Sequence, residues 1–429
     1  MIKKYLLISL LVSSAYADNH PQFYIDAALK NNLKLNAERQ NKKSIEQNIN
    51  ISRSEFLPRI SLSKDQSSSQ FSNKIDHSGS KLSDSNLDTE TNKISIDQKI
   101  FQGFKGYNSL KKSELEVKQA DYKLNQAMQQ TILDSVSAYF DLIFKTKNEQ
   151  FNLSNMNLFE RQVESDSARQ QKGEITLTDL AQSESSLAGA NANLIKAKTE
   201  LLASQTNFER IIGKKAPSIL NQPSNIEIEL PATLEQSIKI AEINNLDLII
   251  ARLEHKIAEK DLNIEKGKLS PSASINFSKS ENSDYSSTVD ELDEETVKAT
   301  ITWPIIKGGE NISSIKKFSY KKQKSLLLLK DAENNVISRT TNAWSKYQSS
   351  ESVLRATESQ LKAAEIANEG ITLEYDSGNT RTTLEVIQSR SLLLESRIDF
   401  AKAERDFVIS KFELAYELGT LSIDVINPL

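Results

Sequence analysis

The sequence contains no cysteine, and its three histidines, His20, His77 and His255, lie far apart. The missing thiols exclude a disulfide framework, and isolated histidines do not match the spacing of zinc ligands. A glycine-rich phosphate loop and a nucleophile elbow are also missing. These absences argue against an enzyme, so we expect no catalytic residue, no metal and no cofactor.

An excess of one charge is lacking as well. The chain has 54 Lys and Arg residues against 58 Asp and Glu residues, a net charge of −4, and these charges are spread along its length. No basic patch suited to nucleic acid stands out. We therefore expect no nucleic-acid partner.

Long hydrophobic runs are confined to the start of the chain. Residues 1–17 combine Lys3 and Lys4, an apolar run over residues 5–12 and the small-residue exit Ala15-Tyr16-Ala17, which are the three parts of a secretory signal. The alternative, a membrane anchor, is disfavoured because the run is too short to span a bilayer. Beyond this signal no stretch reaches the roughly 18 apolar residues of a transmembrane helix. If the exported chain enters a membrane, it must use strands.

What the sequence does contain is a repetition. Asn31-Asn32-Leu33 and Pro58 return as Asn244-Asn245-Leu246 and Pro271, and Gly173 returns as Gly378. Such self-similarity indicates an internal duplication, so the architecture must be interpreted per half. We predict a signal peptide at 1–17, a first repeat at 18–214, a proline-containing linker at 215–232 and a second repeat at 233–429.

Proline is absent between Pro58 and Pro217 and between Pro304 and Pro428, so long helices are permitted there. Within these stretches the heptad series Leu180, Leu187, Leu194, Leu201 and Phe208 predicts supercoiled helices, with small residues at Ser183, Ala190, Ala197 and Ser204 between the large ones. The segment 104–171 alone would make a rod of roughly 100 Å. Gly173 and Gly378 are predicted to end such rods at helical hairpin turns that share one distal tip.

Four other segments alternate apolar and polar residues with the period of a strand. Their apolar members are Ile60 and Leu62; Ile94, Ile96 and Ile100; Ala273, Ile275 and Phe277; and Val297, Ala299, Ile301 and Trp303. We predict polar loops at 67–91 and 281–295. The second loop carries seven carboxylates, which are either solvated surface or a contact for cations or lipid.

Exported alternating strands without transmembrane helices are typical of an outer-membrane barrel. Closure takes about eight strands, and one chain offers four, so identical copies must share one barrel. Two copies would fill the interior with side chains, whereas three would supply twelve strands and an aqueous lumen, which we prefer. Because each half begins and ends its strand pair on one side, all helices should lie in the periplasm.

At this point several motifs resemble those of a known family, the TolC-like outer-membrane efflux proteins, over essentially the whole mature chain. The segments that carry the resemblance are Tyr375 with Gly378, Thr380-Arg381-Thr382, Glu385-Val386-Ile387-Gln388, Gly173 with Thr178-Asp179, and Leu418-Gly419-Thr420-Leu421. The resemblance implies a mixed α and β membrane protein. Each protomer would give four strands to a shared 12-stranded trimeric barrel, and long coiled-coil hairpins would form a periplasmic tunnel.

The resemblance also implies a function. It predicts a trimeric channel in the outer membrane of a Gram-negative bacterium, an exit duct for small molecules or proteins. Its partners would be a periplasmic adaptor (membrane fusion protein), an inner-membrane ABC or proton-driven transporter, and outer-membrane lipid.

The family pattern further implies a gate at the periplasmic tip. There Arg381 would bond Thr178 and Asp179, Tyr375 would approach Asp179, and Glu385 would supply an acidic ring. Gln388 stands where a second acidic residue is common, so we expect weaker cation selectivity.

One alternative remains open from the residues alone: a periplasmic coiled-coil adaptor or structural protein without a pore. Such a protein would explain the heptads and the signal. It would not explain four alternating segments placed symmetrically within a duplication.

Overall fold

The computed structural model describes residues 21–217, 220, 228–286, 288–377 and 381–422. The signal predicted at 1–17 and the predicted turn residue Gly378 lie outside these residues. The described helices and strands follow one order twice.

In the first half these elements are α1 Pro21–Asn31, α2 Leu33–Ser54, β1 Arg59–Phe71, β2 Ser85–Gln102, α3 Lys105–Gln171 and α4 Leu177–Ile212. In the second half they are α5 Leu234–Asn244, α6 Leu246–Gly267, β3 Ser272–Ser283, β4 Glu291–Thr302, α7 Glu310–Asp376 and α8 Thr383–Glu417. Corresponding helices have 11 and 11, 22 and 22, 67 and 67, and 36 and 35 residues. The duplication is therefore visible in element order and in element length.

Contacts divide the described residues into two compact units. The first contains the described parts of 21–40, 122–249 and 331–422, and the second contains 41–121 and 250–330. Each unit takes segments from both halves of the chain. The repeat boundaries at 18–214 and 233–429, with a linker at 215–232, remain a proposal about the duplication.

The second unit contains an antiparallel sheet in the order β1-β2-β3-β4. Its register sorts the side chains into rows. Ile60 lies opposite Ile96, which lies opposite Phe277, which lies opposite Val297. One step along, and therefore on the other face, the row is Ser61, Ser95, Ser278 and Thr296. One face of the sheet is apolar at this level and the other is polar.

The strands are longer than the sequence indicated. Residues 67–91 and 281–295 were predicted as loops, but β1 continues to Phe71, β2 already begins at Ser85, and β4 begins at Glu291. The ladder hydrogen bonds of a sheet are made by the backbone, so Ser, Thr, Asp and Gln side chains can continue a strand where both faces are exposed. The predicted loop bounds were therefore wrong, because the strands continue beyond the end of the apolar alternation.

The core of the first unit draws on α1, α3, α4 and α8. Its fully buried side chains include Ile25, Tyr139, Phe208 and Phe412, with Tyr24 packed edge-on against Phe208 at a ring-centre distance of 5.3 Å. Along α4, all four predicted small seam residues are buried, namely Ser183, Ala190, Ala197 and Ser204. The small residues thus lie on the buried face of α4.

Within the described residues, no helix combines the length and the apolar character needed to cross a bilayer.

Candidate functional site

The predicted tip residues that the structure describes lie near the ends of two helical hairpins. We call residues 172–176, between α3 and α4, the α3–α4 turn, and the described residues 377, 381 and 382, between α7 and α8, the α7–α8 turn. At the first, Gly173 has a φ of +78° and ends α3, with its N–H donating to the Gln170 carbonyl at 2.9 Å. A Cβ placed on residue 173 would meet open space. Glycine is therefore favoured here by the left-handed backbone and not by crowding.

Helix α4 then begins with a reciprocal cap made by Thr176 and Asp179. The Thr176 hydroxyl accepts from the Asp179 N–H at 3.2 Å, while the Asp179 carboxylate accepts from the Thr176 N–H at 2.9 Å and from its hydroxyl at 2.7 Å. The donation from the Thr176 hydroxyl is the main reason that the pKa of Asp179 is lowered. The Asp179 carboxylate is thus engaged at the start of its own helix.

Helix α8 begins in the same way. Thr382 and Glu385 form the equivalent box, with the Thr382 N–H donating to Glu385 Oε2 at 2.8 Å and the Glu385 N–H donating to the Thr382 hydroxyl at 3.3 Å. The sequence analysis missed both boxes, although a threonine three residues before an acidic residue is their usual signal. The two turns therefore use one capping device.

Arg381 forms ion pairs with two carboxylates of its own hairpin. Its Nε lies 2.6 Å from Glu374 Oε2, and its Nη1 lies 2.9 Å from Glu385 Oε1. The hydrogen bond with Glu374 is the main reason that the pKa of Arg381 is raised. The pKa of Glu385 is lowered, first by the Thr382 N–H and then by Arg381. All of these side chains are accessible to solvent.

The predicted bonds from Arg381 to Thr178 and Asp179 are not formed within one chain, as far as the described residues go. Two physical reasons account for this. The Asp179 carboxylate is already held in the α4 cap, and Glu374 and Glu385 lie closer along the chain to Arg381. Thr178 and Gln388 are exposed at the surface, and among the described residues neither side chain forms a hydrogen bond or an ion pair between the two turns.

Tyr375 is the predicted tip residue that does link the two hairpins. It is 7% exposed, and its hydroxyl donates to Asp166 Oδ1 at 2.9 Å and lies 3.2 Å from the Thr383 hydroxyl. Burial is the main cause of its raised pKa. The Arg169 guanidinium lies 4.9 Å from the centre of its ring. Tyr375 therefore contacts Asp166 where the sequence predicted Asp179.

Asp166 is a site residue that sequence reasoning missed. It has no exposed surface, and its carboxylate accepts from Tyr375, from Ser183 Oγ at 2.5 Å and from Gln162 Nε2 at 3.0 Å. We call Asp166, Gln162, Ser183, Tyr375 and Thr383 the Asp166 cluster. The only sequence signal was indirect, because Ser183 was one of the predicted small seam residues.

Another polar side chain lies close to this cluster. Arg390 of α8 reaches across to α3, where its Nη1 lies 3.5 Å from the Leu158 carbonyl. Burial is the main cause that lowers its pKa, and attraction to Asp376 and Asp166 opposes that effect. In the described part of the chain, no group of three His, Asp or Glu side chains is arranged to hold a metal ion. The site therefore has the character of a hydrogen-bonded contact between helices.

Comparison with known proteins gives the same picture of the fold and adds the family. The family model described as "Outer membrane efflux protein" matches residues 24–214 and 237–420. The outer membrane efflux protein BepC of Brucella suis biovar 1 is 23% identical over 398 residues, which cover 92% of this chain and 84% of that protein. The outer membrane protein TolC of Vibrio cholerae is 23% identical over 419 residues, which cover 96% and 93%.

Among solved structures, the CmeC outer membrane channel of Campylobacter jejuni superposes with a TM-score of 0.82 at 15% identity, over 93% of this chain and 85% of that one. At this identity the likeness shows the fold alone. The family model, in contrast, matches both halves of the chain and most of its length. The predicted resemblance is confirmed, and the chain belongs to the outer membrane efflux protein family.

Proposed function

We propose that three copies of this outer-membrane efflux protein close one channel, through which substrates leave the cell from an inner-membrane transporter. The observation that carries the proposal is the four-stranded sheet, because its two faces differ in chemistry and its two edges lack a neighbouring strand in the described chain. Its family membership places the protein in the outer membrane of a Gram-negative bacterium, with a periplasmic extension.

The faces of the sheet match the two environments of a membrane pore. Ile60 and Val297 in the apolar row are 68% and 74% exposed in the single chain. Apolar side chains exposed in this way favour contact with lipid over contact with water. The polar face carries hydrogen-bonded pairs, such as Ser61 with Ser95 at 2.8 Å and Asn276 donating to Asp97 at 2.7 Å. A water-filled lumen would solvate this polar face.

The edges of the sheet support the count of three. Strands β1 and β4 each have one hydrogen-bonded neighbour, and unpaired backbone groups are costly in lipid. Pairing of β4 with β1 of the next copy continues the antiparallel order, since β1 and β4 run in opposite directions within one chain. Three copies close this arrangement by cyclic symmetry as a 12-stranded barrel that leaves a lumen.

The contacts described at the tip and in the sheet require no catalysis, so we propose that the protein is a passive duct. Energy would come from an inner-membrane ABC or proton-driven transporter, reached through a periplasmic adaptor of the membrane fusion type. We place the gate at the tip formed by the α3–α4 and α7–α8 turns. There Arg381 would meet Thr178 and Asp179 of a neighbouring copy, with Glu385 and Gln388 facing the constriction.

A pair of adjacent substitutions tests the channel. Val297→Lys places a charge on the apolar face, where a lysine near the middle of the bilayer costs about 2–4 kcal/mol, and should reduce the amount of trimer in the outer membrane. Thr296→Lys is the matched control on the polar face and should insert normally with reduced cation selectivity in planar bilayers. Equal insertion of both variants would contradict the assignment of the faces.

The parent protein supplies the second measurement. We expect a detergent-requiring, heat-modifiable trimer in outer-membrane fractions and ion conductance in planar bilayers. A soluble periplasmic species would instead favour the adaptor alternative, which the comparisons do not support. A monodisperse monomer in mild detergent would overturn the trimer.

A further inference from the structure

We infer that Asp166 is the positioning residue that holds the two helical hairpins of one protomer together at the tip, and that Tyr375 acts through it. The inference rests on the proposed function, in which this tip is the gate. It replaces the expected Tyr375–Asp179 contact by a different carboxylate on a different helix.

The geometry makes Asp166 the junction of the cluster. Its Oδ2 accepts from Ser183 of α4, and its Oδ1 accepts from Tyr375 of α7. Because Asp166 itself lies on α3, one carboxylate joins the α3–α4 hairpin to the α7–α8 hairpin. Asp166 and Ser183 are both fully buried, so water does not compete for these bonds.

The direction of each hydrogen bond in the cluster is determined by the donors available. A carboxylate only accepts, so the single hydroxyl proton of Tyr375 goes to Asp166. The Tyr375 oxygen is then free to accept from the Thr383 hydroxyl at 3.2 Å and from Gln162 Nε2 at 3.4 Å. The network therefore runs from α8 through Tyr375 to Asp166, and it depends on a charged acceptor at its end.

The Tyr375–Asp166 bond stabilises the closed tip relative to the state in which the hairpins separate. Asp179 does not contribute to this difference. If the hairpins separate, Asp166 loses the Tyr375 donor while still surrounded by packed helices, and an undersatisfied buried carboxylate is costly. Asp179 keeps both of its Thr176 donors whatever α7 does, because that cap lies entirely at the start of α4. Asp166 couples the hairpins, whereas Asp179 starts a helix.

The test compares Asp166→Asn with Asp179→Asn in the purified full-length trimer. Asparagine at 166 presents an N–H₂ group to one of the donors, so the closed tip loses about one charge-assisted hydrogen bond. We expect a roughly tenfold rise in the fraction of time spent at high conductance in planar bilayers. Asp179→Asn should change this fraction much less. Equal effects of the two variants would overturn the inference.

Two further variants separate positioning from a general loss of structure. Tyr375→Phe removes the donor that reaches Asp166 from the other hairpin and should raise the open fraction. Ser183→Ala removes a donor within the α3–α4 hairpin and should raise it much less. The double variant Asp166→Asn/Tyr375→Phe should exceed neither single variant, because both changes break the same link. Additive effects, or a rise in conductance only where the heat stability of the trimer falls, would argue for a merely structural role.

The failure of this inference differs from a failure of the proposed function. If the parent protein forms no trimer and no conductance, the channel proposal fails. If the parent conducts and Arg381→Ser opens it, but Asp166→Asn and Tyr375→Phe leave conductance unchanged, then only the role of Asp166 fails. Should Asp166→Asn not assemble, Tyr375→Phe carries the same test, with Ser183→Ala as its control within one hairpin.

Discussion

The first unit contains two largely buried carboxylates with opposite surroundings. Asp166 at the tip accepts hydrogen bonds from three neutral donors and has no exposed surface. Glu417, at the end of α8, has a side chain that is 16% exposed and a buried Oε2 that accepts no hydrogen bond. Arg339 Nε forms an ion pair with that oxygen at 3.4 Å without a hydrogen bond, and Arg339 also pairs with Asp247.

The difference has a chemical consequence. Burial is the main cause that raises the pKa of Glu417, and the nearby carboxylates Asp247 and Glu413 add to it, while Arg339 opposes it. Glu413 is itself paired with Lys346 at 2.6 Å, and Asp134 and the phenol of Tyr416 lie near the same group of charges. A carboxylate with several donors, such as Asp166, is suited to link two helices. An acid that shares its arginine is suited to take up a proton.

The largest expected effect is that of Asp166→Ala compared with Glu417→Ala. The first leaves Tyr375, Ser183 and Gln162 without their acceptor and should cost the tip about 2–4 kcal/mol of local stability. The second removes a poorly satisfied charge and should cost clearly less. Hydrogen exchange of the helix amides flanking each site measures both. A larger loss of protection at Glu417 would reverse the comparison.

A smaller effect is expected from Glu417→Gln, which imitates the protonated acid. Since the pKa of Glu417 is raised in the folded state, its protonation stabilises the fold as the pH falls, and this contribution is lost as the pH rises through the folded pKa. The glutamine variant should therefore be more stable at neutral pH, by on the order of 1 kcal/mol.

Thermal unfolding of the trimer at neutral and mildly acidic pH checks this prediction. The parent should gain stability on mild acidification, and Glu417→Gln should have a flatter pH profile. Asp166→Asn serves as the control, because it removes a carboxylate that accepts three hydrogen bonds. It should stabilise the trimer at neither pH. A parallel pH profile in the parent and in Glu417→Gln would show that Glu417 is not the group that titrates.

Exposed carboxylates provide a third case, with a weaker expected effect. Glu374 and Glu385 hold Arg381 in open solvent, where ion pairs contribute little to stability. Arg381→Ser should raise single-channel conductance, because it removes the proposed contacts of Arg381 with a neighbouring copy. The rise should be smaller than the effect of Asp166→Asn. Arg397→Ser, which breaks an exposed pair with Glu365 on the same helices, is the matched control. Unchanged conductance in Arg381→Ser would remove Arg381 from the gate.

The smallest expected effect concerns ions in the pore. Asp179→Asn combined with Glu385→Gln should reduce block of the channel by multivalent cations, because two acidic positions per protomer lose their charge. The substitutions also weaken two helix caps, each by about 1 kcal/mol. Thr176→Ala with Thr382→Ala weakens the same caps and keeps the charges, so it isolates the electrostatic part. Equal block in both double variants would remove the acidic ring from the proposal.

Much of this fold could be predicted from local patterns. The missing prolines and the heptads predicted the long helices, and Gly173 marked the end of α3 because its left-handed backbone favours glycine. Alternation located all four strands. The strand ends were missed, because polar residues such as those of β1 beyond Leu62 continue a strand wherever backbone pairing continues.

The candidate site was predicted less completely. Tyr375, Arg381 and Glu385 were identified from the resemblance to the efflux family, but the contacts of Tyr375 with Asp166 and of Arg381 with Glu374 were not. The expected partner Asp179 is engaged by its own helix cap, a local interaction that forms without any other helix. Asp166 lies inside a 67-residue helix and resembles any other polar heptad position until its burial is known.

The sequence by itself determined the duplicated order of elements, the helix lengths, the strand alternation and the family, because these depend on neighbours a few residues apart or on motifs that stand in the chain. Only the tertiary structure decided which carboxylate meets Tyr375. Asp166 and Tyr375 are 209 positions apart, and their contact follows from how two helical hairpins pack side by side. That packing is a sum of many side-chain contacts along the seams, and no single short segment encodes it.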